Sequence, residues 1–161
     1  GNVFTIPDPY ISKIGAKVMS LQEPTKKMSK SDSNSNSWVA ILDKPEDIMK
    51  KFKRAVTDSE AKVYFGDGKD GINNLMTIYS SVSGLAMEQI EGEFAGKGYG
   101  DFKVAVGEAV VEALRPVRER FEELIKDKAY LESLYKDGAE RAFRVSSRTL
   151  AKAKKKIGFV L

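Results

Sequence analysis

Between Phe102 and Leu124 apolar residues return every three or four positions: Phe102, Val106, Ala109–Val110, Ala113, Val117, Phe121 and Leu124. A strand would bury alternate residues, so this spacing predicts a helix with one apolar face. At 1.5 Å per residue the buried face runs for about 36 Å, the longest element in the chain. Pro116 lies inside the stripe, and the periodicity survives on both sides of it, so the proline is expected to bend the helix rather than end it.

The same logic organises the rest. Pro45 suits a first helical turn, with Glu46 and Asp47 behind it at the positive end of the dipole and Ile48, Phe52 and Ala55–Val56 at helical spacing. Residues 57–71 form a polar connector. Ile72, Leu75, Met76 and Tyr79 make a second amphipathic stripe, with Gly84 as its stop. A short helix is expected over Met87–Phe94, and a last pair over Tyr130–Tyr135 and Gly138–Lys156. The second of that pair carries small residues (Ala139, Ala142, Ser146, Ala153) that would permit close packing. Ahead of the helices, Pro7, Pro9 and Gly15 predict irregular chain over residues 1–16, and Lys17–Leu21 reads as a short strand ended by Pro24. The fold class expected is mainly α, a helical bundle attached to the end of an α/β domain.

Composition narrows the chemistry. In 161 residues there is room for one domain, or one domain and part of another, and 42% hydrophobic residues suffice for a core. The chain contains neither cysteine nor histidine, which excludes thiolate and imidazole metal sites and Ser-His catalysis. No apolar run approaches the roughly 18–20 residues that cross a bilayer, and a reducing cytoplasm fits. Residues 1–54 hold ten Lys/Arg against six Asp/Glu, residues 55–96 two against seven, and residues 97–161 fifteen against ten. Two basic regions flanking an acidic connector suit a polyanionic partner, and equally a solvated lysine-rich surface. The opening at Gly1-Asn2 reads as the tail of a longer chain.

One segment carries chemistry. From Thr25 to Ser37 the sequence is lysine, serine, aspartate and asparagine with almost nothing to bury, so a mobile loop is expected. Within it Lys27-Met28-Ser29-Lys30-Ser31 sets two ammonium groups three residues apart among hydroxyls and turn amides, a donor set suited to phosphates. A lysine about 4 Å from a phosphate oxygen gains at most roughly 4 kcal/mol at an effective dielectric near 20. As charge develops on a leaving group, one preorganised donor is worth about 2.7–4 kcal/mol.

Around these residues the chain resembles the C-terminal half of the bacterial tryptophanyl-tRNA synthetases. The resemblance is carried by Gly15-Ala16-Lys17-Val18-Met19-Ser20-Leu21, by Glu23-Pro24-Thr25-Lys26-Lys27-Met28-Ser29-Lys30-Ser31-Asp32, by Ala55-Val56-Thr57-Asp58-Ser59, and by Gly71-Ile72-Asn73-Asn74-Leu75 with Ile78-Tyr79-Ser80. Gly96-Lys97-Gly98-Tyr99-Gly100, Leu114-Arg115-Pro116 and Gly138-Ala139-Glu140 extend it. Tyrosyl enzymes share the loop signature, the KMSKS motif of class I synthetases, without the later matches. The resemblance implies residues 1–42 as the end of a nucleotide-binding α/β domain with the loop at 26–37, and residues 43–161 as a helical domain that recognises the tRNA anticodon. The last helix would pack back on the catalytic domain. It implies ATP-dependent formation of tryptophanyl-adenylate, transfer to tRNA(Trp), Mg2+ arriving with ATP, and a cytoplasmic, homodimeric full-length enzyme with no membrane partner. Lys27, Met28, Ser29, Lys30 and Ser31 would contact ATP, the two lysines acting on its phosphates, and Val18 would lie against adenine or simply fill strand core. The histidine-containing ATP signature and the tryptophan pocket of the family lie outside these residues, so this segment alone is expected to be inactive. Ser33–Ser37, serine/asparagine-rich where relatives carry prolines, suggests a looser loop. A helical RNA-binding module without catalysis fits the charge pattern as well. Arg115, Arg118, Arg141, Arg144 and Arg148 read as solvated or ion-paired helix surface, and Trp38 as an apolar anchor.

Overall fold

The computed structural model describes residues 3–12 and 15–159. Its helices are α1 (Pro45–Lys53), α2 (Asp70–Ser83), α3 (Met87–Glu93), α4 (Tyr99–Leu124) and α5 (Lys128–Lys156), with a short 3-10 turn at Ser35–Ser37. The described residues contain no named strand, so the chain is mainly α. They form two compact units, Ile11–Arg118 and a second made of residues 3–10 with 119–159.

The first unit holds the core. Ile48 and Phe52 of α1, Ile72, Leu75 and Met76 of α2, Ile90 of α3, and Phe102 and Val106 of α4 are almost fully buried, together with Leu21 from the chain ahead of the helices. Tyr79, Phe94 and Phe102 meet edge-on, with ring centroids 4.8–6.0 Å apart, the arrangement that the aromatic quadrupole favours. Helix ends are where the sequence places them. Pro45 opens α1, with Glu46 and Asp47 in its first turn and Lys50, Lys51 and Lys53 in its last. Gly84 adopts the left-handed conformation (φ 76°) that ends α2, and its N–H reaches the Ser80 carbonyl at 2.8 Å.

Several expectations are corrected. Lys17–Leu21 forms no strand; it makes one isolated antiparallel bridge, Met19 to Lys27. A single bridged pair is too short for a ladder, and the far edge at Met19 is met by a side chain instead. The α4 stripe is buried only as far as Val110, while Val117 and Phe121 stand exposed. α4 has 26 residues and continues past Arg118, where the unit that holds the core ends; the other helices of that unit have 9, 14 and 7. Periodicity reports an apolar face but not the length of what covers it. Pro116 does lie inside α4. The longest helix is α5, with 29 residues. It merges the two short helices expected over Tyr130–Tyr135 and Gly138–Lys156, because one interior glycine costs only about 1 kcal/mol among helix-forming neighbours. No described residue of α5 is buried, and Ala139, Ala142 and Ser146 are exposed. Residues 3–12 are irregular, as their prolines require; positions 1–2 and 13–14 of that stretch lie outside the described residues.

One contact brings the connector onto α2. A Cβ built on Gly71 would sit 2.2 Å from the Val56 carbonyl oxygen, inside any tolerable separation. The Val56 N–H in turn donates to the Leu21 carbonyl at 2.7 Å, so hydrogen aside, no side chain fits at position 71 without moving the backbone that holds Leu21. At Gly107 the added carbon would meet chiefly the Met49 thioether, a flexible group. Gly71→Ala is therefore expected to destabilise the chain by about 1–3 kcal/mol, as overpacking does, and Gly107→Ala to cost clearly less. Urea unfolding of both variants checks this; equal midpoints would contradict it.

Candidate functional site

The two lysines are presented by an antiparallel register. The Met28 N–H donates to the Val18 carbonyl (3.0 Å) and the Ser20 N–H to the Lys26 carbonyl (2.8 Å), bracketing the Met19–Lys27 pair. Successive residues of extended chain face opposite ways. Val18 and Met28 accordingly pack against the core and line an apolar pocket of about 220 Å³ with Val39, Phe52, Ile78 and Val110. Lys27, one residue out of phase with Met28, is turned to solvent. The far end of the loop is also tied: Ser37 is buried, and its carbonyl accepts the Leu21 N–H at 3.0 Å.

Between these ties the backbone is held by local bonds. The Ser29 carbonyl accepts from Asp32 N–H (3.2 Å), Asp32 Oδ1 from Asn34 N–H (2.8 Å), and Asn34 Oδ1 from Asn36 N–H (3.0 Å). Within Ser33–Ser37, aspartate and asparagine side chains take backbone N–H groups that have no backbone partner among the described residues. Ser29, Lys30 and Ser31 are exposed on this span. Lys26 pairs with Glu23, whose hydrogen bond and charge hold its pKa above the ordinary lysine value. Among the described residues, no ion pair engages Lys27 or Lys30. Both ammonium groups of the signature are left available to an anion.

Two polar constructions escaped the sequence reading. Asn74, on α2 and buried, brackets Met19: its Oδ1 accepts the Met19 N–H and its Nδ2 donates to the Met19 carbonyl, both at 2.9 Å. Lys69, 3% exposed, donates to Tyr99 Oη (2.8 Å), Glu60 Oε2 (3.0 Å) and Asp58 Oδ1 (3.3 Å), and Tyr99 Oη donates to Asp58 Oδ1 at 2.6 Å. Burial works against the charged forms here. It is outweighed: bonds to Tyr99, Glu60 and Asp58 raise the Lys69 pKa, and bonds from Tyr99, the Glu60 N–H and Lys69 lower that of Asp58. Lysine and aspartate in a polar connector read as solvated surface. The available signal was that Asp58 and Tyr99 stand inside two of the segments that carry the family resemblance.

The basic helix residues behave as surface where their partners are seen. Arg115 pairs with Glu112 and Arg144 with Glu140, while Arg118 Nη1 donates to the Asp43 carbonyl at 3.4 Å. Trp38 is half-buried under Lys51, whose Nζ lies 4.8 Å from the ring centroid.

The family model described as tRNA synthetases class I (W and Y) matches residues 1–115. The chain belongs to that family. It is 48% identical over 160 residues to the tryptophan–tRNA ligase of Wolinella succinogenes, covering 99% of this chain and 49% of the relative. With the tryptophan–tRNA ligase of Bacillus anthracis it shares 52% over 157 residues, 97% of this chain and 47% of the relative. The fold superposes on the tryptophanyl-tRNA synthetase of Mycoplasma pneumoniae with a TM-score of 0.83 at 29% identity, over 92% of this chain and 45% of that one. This synthetase segment spans about half the length of the curated relatives it matches. No described helix is long and apolar enough to cross a membrane.

Lys69→Met leaves Asp58 partly buried without its cation, and is expected to cost about 3 kcal/mol, the low end for a broken buried pair because Glu60 keeps water access. A raised lysine pKa stabilises fully below the ordinary value near 10.4 and less as pH climbs through the folded value; a lowered aspartate pKa stabilises above about 3.9 and fails as pH falls through the folded value. The stability gap between wild type and Lys69→Met should therefore be flat from about pH 5 to pH 10 and narrow on both sides. Denaturant melts across that range read it; a gap that peaks near neutrality would refute the assignment.

Proposed function

We propose that this segment is the C-terminal half of a tryptophan–tRNA ligase and supplies the loop that holds and discharges the triphosphate of ATP. The observation that carries this reading is the pair Lys27 and Lys30, exposed and without ion pairs among the described residues, on a loop tied at both ends to core-packed chain. The relatives named tryptophan–tRNA ligase support it. In the reaction, a tryptophan carboxylate oxygen attacks the α-phosphorus of ATP, the bond to the bridging oxygen breaks, and pyrophosphate leaves with the electron pair. Negative charge grows on that leaving group, where the ammonium groups of Lys27 and Lys30 act. Ser29, Ser31 and the turn amides add neutral donors to the phosphates, Met28 fixes the arm against the core, and Val18 offers adenine an apolar contact. Mg2+ would arrive with ATP, carried by its phosphate oxygens.

On this reading residues 1–42 close the catalytic α/β domain and residues 43–161 recognise tRNA(Trp), the acceptor of the tryptophanyl group. The tryptophan pocket and the histidine-bearing ATP signature belong to the half of the relatives that this chain does not cover. The full-length protein would act as a cytoplasmic homodimer. An RNA-binding module without catalysis would also use exposed lysines on phosphates; the relatives named tryptophan–tRNA ligase favour the enzyme.

In the full-length protein Lys30→Ala should lower the single-turnover rate of tryptophan activation at saturating ATP by roughly 10²–10³, the loss of one transition-state donor. Ser33→Ala, exposed and outside the signature, should change it little. A wild-type rate for Lys30→Ala at saturation would reduce the lysine to a ground-state tether.

A further inference from the structure

Met19 is the hinge pin of the loop. Its neighbours Val18 and Ser20 take the incoming arm at Met28 and Lys26, and Leu21, two residues on, takes the outgoing end at Ser37. The bonds of Val18 and Ser20 leave from one edge of the strand-like segment. The opposite edge at Met19 is met by the Asn74 carboxamide, which supplies both an acceptor and a donor where a neighbouring strand would have done so. A carboxamide is the neutral side chain that offers both at this reach. Asn74 itself cannot drift: it is 4% exposed, and Ile72, Leu75 and Met76 around it on α2 are buried in the core.

We propose that Asn74 is a positioning residue for tryptophan activation, setting through Met19 the place of Lys27 and Lys30. The proposal rests on the reading that those lysines act on the triphosphate. Displacing Met19 would shift both ends of the loop together, and a displacement of about 1 Å suffices to cost two orders of magnitude in rate. The alternative is that Asn74 only satisfies buried backbone groups. The same helix carries the control: Asn73 makes the same pair of bonds, accepting the Gly66 N–H (3.0 Å) and donating to the Gly66 carbonyl (2.7 Å), to the connector and not to Met19.

The test uses the full-length synthetase with Asn74→Ala, Asn73→Ala, Asn74→Asp and Lys30→Ala. Melting temperatures and single-turnover tryptophan activation are measured over a range of ATP concentrations. Asn74→Ala and Asn73→Ala should lower the melting temperature alike, while only Asn74→Ala slows activation at saturating ATP, by about tenfold to a hundredfold, with a smaller rise in KM for ATP. Lys30→Ala should cost less in the Asn74→Ala background than in wild type, since a misplaced lysine has less to lose. Asn74→Asp is isosteric and adds a pH signature, and if the alanine variant does not fold it is the comparison used, at low pH where its carboxyl is protonated. Its protonated carboxyl reproduces the carboxamide's donor and acceptor, so its rate relative to wild type should climb as pH is lowered. Equal activation by Asn74→Ala and Asn73→Ala, or a pH-independent ratio for Asn74→Asp, overturns the proposal while a slow Lys30→Ala leaves the phosphate reading standing. A wild-type rate for Lys30→Ala overturns both.

Discussion

Leu21 is tied on three sides, and the first unit depends on it. Its side chain is almost fully buried in the core, its N–H takes the Ser37 carbonyl, and its carbonyl takes the Val56 N–H. One residue therefore joins the end of the loop, the chain after α1 and the hydrophobic centre. Gly71 leaves room for the Val56 carbonyl, Asn74 holds Met19, and Lys69 gathers Asp58 and Tyr99 just beyond. The loop with Lys27 and Lys30 hangs from this joint. Hydrophobic burial fixes where Leu21 sits, and a few hydrogen bonds worth roughly 1 kcal/mol each decide what is aligned to it.

The helices were legible because their ends and faces are local. Pro45 with its acidic followers, the stripe from Ile72 to Tyr79 and the stop at Gly84 each need only a window of a dozen residues. The failures share a cause as well. The missing strand at Lys17–Leu21, the uncovered half of α4 and the unbroken α5 all depend on partners or competing costs that no window contains. Extended chain becomes a strand only when another strand lies beside it, and here an asparagine 55 residues away took that place. An apolar face is buried only as far as its neighbours reach.

At the site the lysines were legible as a motif, and the exposure of Lys27 follows from the alternation that turns Val18 and Met28 toward the core. Asn74 and Lys69 were not, because single polar residues on a helix or connector carry the same letters whether they face water or a buried carbonyl. What distinguishes them is company: Asp58, Gly71, Asn74 and Tyr99 all stand in segments shared with the synthetase family. Those segments turn out to be the seams between elements, where backbone meets backbone or a charge is enclosed.

The staples of Asp32, Asn34 and Asn36 each bridge only two residues along the chain. A bond that short in sequence needs no search to form again once broken, and water competes for it throughout, since these side chains sit at the surface. The span between Ser29 and Asn36 can come apart and close without disturbing Met28 or Ser37, whose partners lie in the core-packed segment. Such local rearrangement runs on the nanosecond-to-microsecond scale of loop motion, far quicker than the turnover of about 1–10³ per second usual for enzymes. Lys30 lies inside that span and can change position many times within such a turnover time, while Lys27 stays with the arm bridged to Met19.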